Sequence, residues 1–108
     1  MAESRAHERA KRRAAAEAGG RIECPVGRGG DRLDACNHGR AVEIERSGRA
    51  ERLDKAVEKL KASRRRQRVL QVPDKDLDKA AEAMRRNCVG GTVKNMAGTR
   101  RRRVPKCR

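Results

Sequence analysis

The chain has 108 residues, with 30 Lys and Arg against 15 Asp and Glu for a formal charge of +15, and it contains no Phe, Tyr or Trp. A length suited to one domain buries only about two-thirds of the surface its unfolded chain exposes, which excludes a large core. Without aromatic rings that core is left to Leu, Ile, Val, Met, Ala and Cys. 

Residues 4–18 are rich in Ala, Arg, Glu and Lys, with Ser4 placed to cap and Gly19-Gly20 to stop a helix whose apolar face is nearly all alanine. Residues 21–26 alternate apolar and polar, and Pro25 puts this strand at an edge. Gly27-Arg28-Gly29-Gly30 reads as a loop, either a plain connection or a backbone surface able to approach a phosphate. Residues 32–36 and 40–45 alternate on either side of Asn37-His38-Gly39, which predicts a β-hairpin with Val42 and Ile44 on one face and Glu43 and Glu45 on the other. Ser47 is placed to cap a helix over 49–62, whose Leu53, Val57 and Leu60 share one face. The run 68–72, ended by Pro73, suits an inner strand. Asp74 is placed to cap a helix over 75–86 that buries Leu77, Ala80, Ala81 and Met84, and 89–96 forms a weaker strand. This order predicts an α/β fold, a mixed sheet of about five strands flanked by helices. One domain is expected over 1–99, followed by a basic tail over 100–108 too charged to pack, a disordered phosphate-binding arm.

A polyanion is the natural partner of so lopsided a charge, and nucleic acid, DNA before RNA, is the commonest. With no Phe, Tyr or Trp for bases to stack on, single-strand binding is disfavoured, and the grip would fall on the backbone of duplex or branched DNA, which needs only Arg, Lys and amides. Arg28, Arg46, the cluster Arg64, Arg65, Arg66 and the run Arg100, Arg101, Arg102, Arg103 are the candidate phosphate contacts. No apolar run approaches the ~20 residues that cross a membrane, and no apolar signal core follows the N-terminal charges. A cytoplasmic protein without membrane contact is therefore expected. In such a reducing compartment Cys24, Cys36, Cys88 and Cys107 would be free thiols, Cys24 and Cys88 serving as small core residues. A core this thin also makes a homodimer a natural remedy.

Few acids stand against this charge, and their placement calls for a reason. In a hairpin closed at 37–39, Asp34 lies nearly opposite Glu43, with Glu45 two residues further on the same face as Glu43. Three carboxylates that converge would suit a hard cation, Mg²⁺ or Mn²⁺, keeping several waters. Such an ion can supply a nucleophilic water and stabilise charge at phosphorus. The plain alternative is three solvent-facing acids balancing nearby arginines.

The leading helix with Glu8, the glycine turn, the strand, Asp34 on the next strand and Val42-Glu43-Ile44-Glu45 before a crossover helix resemble the PD-(D/E)xK nuclease superfamily over residues 5–72. Within it, the archaeal Holliday junction resolvases are the most similar. The resemblance implies a restriction-endonuclease-like core and a Mg²⁺- or Mn²⁺-dependent endodeoxyribonuclease. It makes Asp34 the metal-binding aspartate, Glu43 the first acid of the motif and Glu8 an added metal ligand. Glu45 stands where the family usually has its lysine and would act as a general base, as in members with an acid there.

Other chemistry has less behind it. Cys36 and His38 with Cys24 or Cys88 lack the spacing of a zinc site. Cys36 and His38 have no third group to orient them for nucleophilic work, and the glycines at 27–30 lack the lysine and hydroxyl of a P-loop. A non-catalytic DNA-binding or architectural protein and a basic RNA-binding accessory protein are the alternatives from other classes.

Overall fold

A computed structural model describes residues 5–18, 20–26 and 31–107. Ser4, Gly19 and the loop 27–30 with Arg28 lie outside the described residues. The elements run in the order α1 (Arg5–Ala18), β1 (Arg21–Val26), β2 (Asp31–Cys36), β3 (Arg40–Ile44), α2 (Ala50–Ala62), β4 (Gln67–Val72), a 3₁₀ turn (Asp74–Asp76), α3 (Leu77–Arg86), β5 (Gly91–Asn95) and β6 (Arg101–Val104). They make an α/β fold with one mixed sheet of six strands in sequence order. Strands β1, β2 and β3 are antiparallel neighbours, β3, β4 and β5 are parallel, and β6 returns antiparallel to β5. The two parallel steps are the crossovers that carry α2 and α3, as parallel strands require.

The sixth strand corrects the expected disordered tail. Arg101, Arg102 and Arg103 pair with Lys94, Val93 and Thr92, and Val104, opposite Gly91, is buried. A strand side chain alternates between faces, so this run is split: Arg102 turns to Asp78 on α3, while Arg101 and Arg103 turn to the other face.

The two sides of the sheet differ in what holds them. One core joins Leu53, Ala56, Val57 and Leu60 of α2 and Leu77, Ala80, Ala81, Ala83 and Met84 of α3 to Leu33, Leu70, Val72 and Val93 of the sheet. Full burial of a Leu, Val or Met side chain stabilises by roughly 1.5–3 kcal/mol, so this side dominates the fold. The other core is smaller: Ala10, Ala14 and Ala15 of α1 meet Ala35, Val42, Ile44 and Val69. Alanine lets α1 approach closely but contributes little area. Helix α1 packs on β1, β2 and β3, and the same face of β4, β5 and β6 carries no helix among the described residues.

Two disulfides replace the expected free thiols, Cys24–Cys36 between β1 and β2 and Cys88–Cys107 between the end of α3 and the chain beyond β6. The first is buried and the second is formed by exposed residues. The helix caps also differ. Ser47 Oγ accepts from the Arg49 amide two residues on, and neither α2 nor α3 has a side-chain cap. No helix among the described residues is long and apolar enough to cross a membrane.

Candidate functional site

Two features carry the chemistry of this molecule, a carboxylate cluster under α1 and α2 and a basic groove on the open half of the sheet. The cluster begins with an irregularity in β1 and β2. Ile22 and Ala35 belong to the core under α1, whereas Cys24 and Leu33, the next pair but one, belong to the core under α2 and α3. Residues two apart should share a face, so the strands switch faces between these pairs. Glu23 makes the switch on β1 with a φ of 51°, and Asp34 lies opposite it. Asp34 is therefore met by α1: His7 Nε2 lies 3.3 Å and Lys11 Nζ 3.8 Å from its Oδ1. Lys11 is only 1 % exposed and also approaches Glu23 Oε1 at 3.5 Å.

Glu43 lies between Val42 and Ile44, both of the α1-side core, and so faces α2, where Lys59 Nζ stands 3.9 Å from its Oε2. The two carboxylates also clasp the strands between them. The Asp34 amide donates to Glu43 Oε1 at 2.9 Å, and the Ile44 amide donates to Asp34 Oδ2 at 2.8 Å. Glu43 is 4 % exposed. Burial pushes its carboxyl up to about 8, the Asp34 carboxylate adds to the rise, and Lys59 and the Asp34 amide offset only part of it.

The sequence thus places Asp34 and Glu43 side by side as expected, but different helices meet them. Glu45 follows β3, where its Oε1 accepts from the Ser47 amide at 3.1 Å, and its charge adds a smaller rise to the Glu43 carboxyl. Glu8 Oε2 is buried with no hydrogen-bond partner among the described residues. Among those residues no group of three or more His, Cys, Asp or Glu side chains is placed to hold a metal ion. The oxygens of Asp34 and Glu43 already face two amides, two ammonium groups and an imidazole. As arranged, they form a network of ion pairs and hydrogen bonds, in which a divalent ion would have to displace Lys59 and His7. His7, Lys11 and Lys59 were not singled out from the sequence. Lys59 does lie on the helix after β3, on the face with Ala56 and Leu60.

The second feature is a groove of about 450 Å³ whose lining includes Arg40, Arg66, Arg68, Lys94, Arg101 and Arg103 and no carboxylate. It lies on the face of the sheet that α1 leaves open, with Val69, Thr92 and Arg103 forming one rung across β4, β5 and β6. None of Arg66, Arg68, Arg101 and Arg103 is in an ion pair among the described residues, whereas Arg100 and Arg102 pair with Asp74 and Asp78. Of the candidate phosphate contacts, the structure therefore gathers Arg66, Arg101 and Arg103 into the groove and ties Arg100 and Arg102 to acids. Arg64, Arg65 and Arg46 stay outside the lining, and Arg28 is outside the described residues. Arg40 and Lys94 complete the groove, and Arg68 borders it from a position whose side chain faces the α2 and α3 side; the sequence singled out neither Arg40 nor Arg68. The chain matches no family model, no curated protein and no solved structure.

Proposed function

We propose that this chain binds nucleic acid, DNA before RNA, by its phosphate backbone on the open face of β4, β5 and β6. The observation that supports this most is the gathering of five cationic side chains, Arg40, Arg66, Lys94, Arg101 and Arg103, around one acid-free groove in a chain of net charge +15. Like charges cost energy when held together, and a phosphate chain relieves that cost while releasing its counterions. Fluorescence anisotropy of a short labelled oligonucleotide tests it. Binding should weaken steeply and log-linearly with salt. Failure to bind at low salt sinks it. Competition among branched DNA, duplex DNA and structured RNA ranks the targets, and preference for the RNA would favour an accessory role on RNA.

A second reading, a Mg²⁺- or Mn²⁺-dependent endodeoxyribonuclease with a restriction-endonuclease-like core, draws on the adjacency of Asp34 and Glu43 and on the order of elements from α1 to β4. A divalent ion would have to take the places of Lys59 and His7 beside those carboxylates, and Glu8 on α1, whose Oε2 is buried with no hydrogen-bond partner among the described residues, would be the added ligand. Plasmid nicking separates the two readings. Metal-dependent nicking that Asp34→Ala abolishes supports the enzyme; identical behaviour of wild type and Asp34→Ala leaves a non-catalytic DNA-binding protein.

A further inference from the structure

We infer that the groove holds the sugar–phosphate chain of one strand and reads no base. The inference rests on the proposed nucleic-acid binding and concerns what part of the ligand is recognised. The geometry begins with β6. Arg101 and Arg103 are two residues apart on one strand, hence on one face and about 6.7 Å apart along it. Their partners in register on β5 are Lys94 and Thr92, so ammonium, hydroxyl and guanidinium groups stand in two successive rungs. Donors repeating along a strand in this way suit the successive phosphates of one extended backbone.

No ring in the lining offers a base a stacking platform. No Phe, Tyr or Trp exists anywhere in the chain and neither histidine lines the groove, which removes the ring stacking that single-strand binders use, worth about 1–3 kcal/mol per base. The one amide side chain of the lining, Gln67, already accepts from Arg40 Nε at 3.0 Å through its Oε1. Free guanidinium groups and a hydroxyl are phosphate donors. The alternation along β6 also reserves charge for this face, since Arg102 is neutralised by Asp78 and its two neighbours are not.

The test compares three labelled ligands of equal length on the full oxidised chain: a base-bearing single strand, an abasic deoxyribose–phosphate strand, and a duplex. The variant Arg66→Gln/Arg101→Gln/Arg103→Gln, all exposed positions, is measured beside wild type after circular dichroism has shown it folded. The abasic strand should bind within about threefold of the base-bearing one. The triple variant should weaken both by the same factor, about tenfold or more at low salt. It should also flatten the slope of log K against log salt by about 2, three charges at roughly 0.7 each for a single strand. On the duplex the variant should again remove about three charges' worth of slope, since one of its strands occupies the groove. A tenfold loss for the abasic strand overturns the inference, because bases would then be carrying affinity. A triple variant that binds as wild type does overturns the location. Absence of binding to any ligand overturns the nucleic-acid reading itself.

Discussion

Asp34 and Glu43 hold β2 and β3 together through their side chains: the Asp34 amide donates to Glu43 Oε1 at 2.9 Å, and the amide after Glu43 donates back to Asp34 Oδ2 at 2.8 Å. Beyond the Ala35–Val42 and Cys36–Ala41 pairs and the Asn37 amide that donates to the Arg40 carbonyl at the turn, no further backbone pairing of these strands is seen among the described residues. Carboxylates thus replace the carbonyl oxygens of an ordinary ladder there, at a point where a pair of acids sits inside a basic protein.

The pH dependence of stability follows from Glu43. Its carboxyl is raised from 4.5 to about 8 by burial first and Asp34 second, so between these values the folded chain holds a proton that the unfolded chain has released. Stability must then fall as pH rises across this window. At about 1.4 kcal/mol per unit, the loss attributable to Glu43 is a few kcal/mol. Glu43→Gln keeps an oxygen for the Asp34 amide and removes the titration. Urea denaturation from pH 5 to pH 8.5 should show a clear fall for wild type and a much flatter profile for the variant. Parallel profiles would show that Glu43 is not the titrating group.

Reduction should act on the two disulfides in order. Cys88 and Cys107 are exposed, whereas Cys24 and Cys36 are buried. A thiol reductant should therefore open Cys88–Cys107 first, as timed alkylation and mass spectrometry would show. That bridge closes the segment that holds β5 and β6. For loops of about this length a disulfide stabilises by about 3 kcal/mol. Cys107→Ser should lower stability by an amount of this order. It should also weaken oligonucleotide binding, because β6 carries Arg101 and Arg103 and is anchored by Val104 alone among its buried side chains.

The parts of this fold legible in the sequence are those written as a local period. Leu53, Val57 and Leu60 mark α2, Leu77, Ala80, Ala81 and Met84 mark α3, and the hairpin at Asn37-His38-Gly39 brings Asp34 opposite Glu43. What was hidden depends on partners distant in the chain. The arginine run at 100–103 looks unpackable until Asp74 and Asp78, about 25 residues away, take Arg100 and Arg102. The division of Asp34 and Glu43 between two helices depends on the positive φ of Glu23, a residue type with no preference for that conformation. Cysteine pairing is likewise non-local, and four cysteines allow three connectivities.

The alternation along β6 gives a sharp contrast between neighbours. Arg102→Ala should leave oligonucleotide affinity within about twofold, since its charge is spent on Asp78, and exposed pairs of this kind contribute only about 0–1 kcal/mol to stability. Arg101→Ala and Arg103→Ala should each weaken binding and reduce the salt slope by about 0.7–0.9. Equal effects at all three positions would mean that β6 does not present its faces separately to the ligand.

Gly91 lines the groove where β5 begins. It begins β5 with a φ of 156°, and a Cβ there would collide with the carbonyl oxygen of Arg68 on the neighbouring strand. That contact is backbone on backbone, within a parallel ladder whose Val69–Thr92 pair follows directly, so it cannot be relieved by turning a side chain. Gly91→Ala should therefore destabilise by more than about 1 kcal/mol, the usual size of a glycine-to-alanine effect at a compatible site, and in the opposite direction. Because Gly91, Arg68 and Thr92 all line the groove, the forced separation of β4 and β5 should also reduce oligonucleotide affinity under conditions where the variant remains folded. Gly39→Ala, at a position with open space for a Cβ, is the control: near wild type in both measurements. A Gly91→Ala protein as stable as the Gly39→Ala control would show that β4 and β5 do not approach as closely as this.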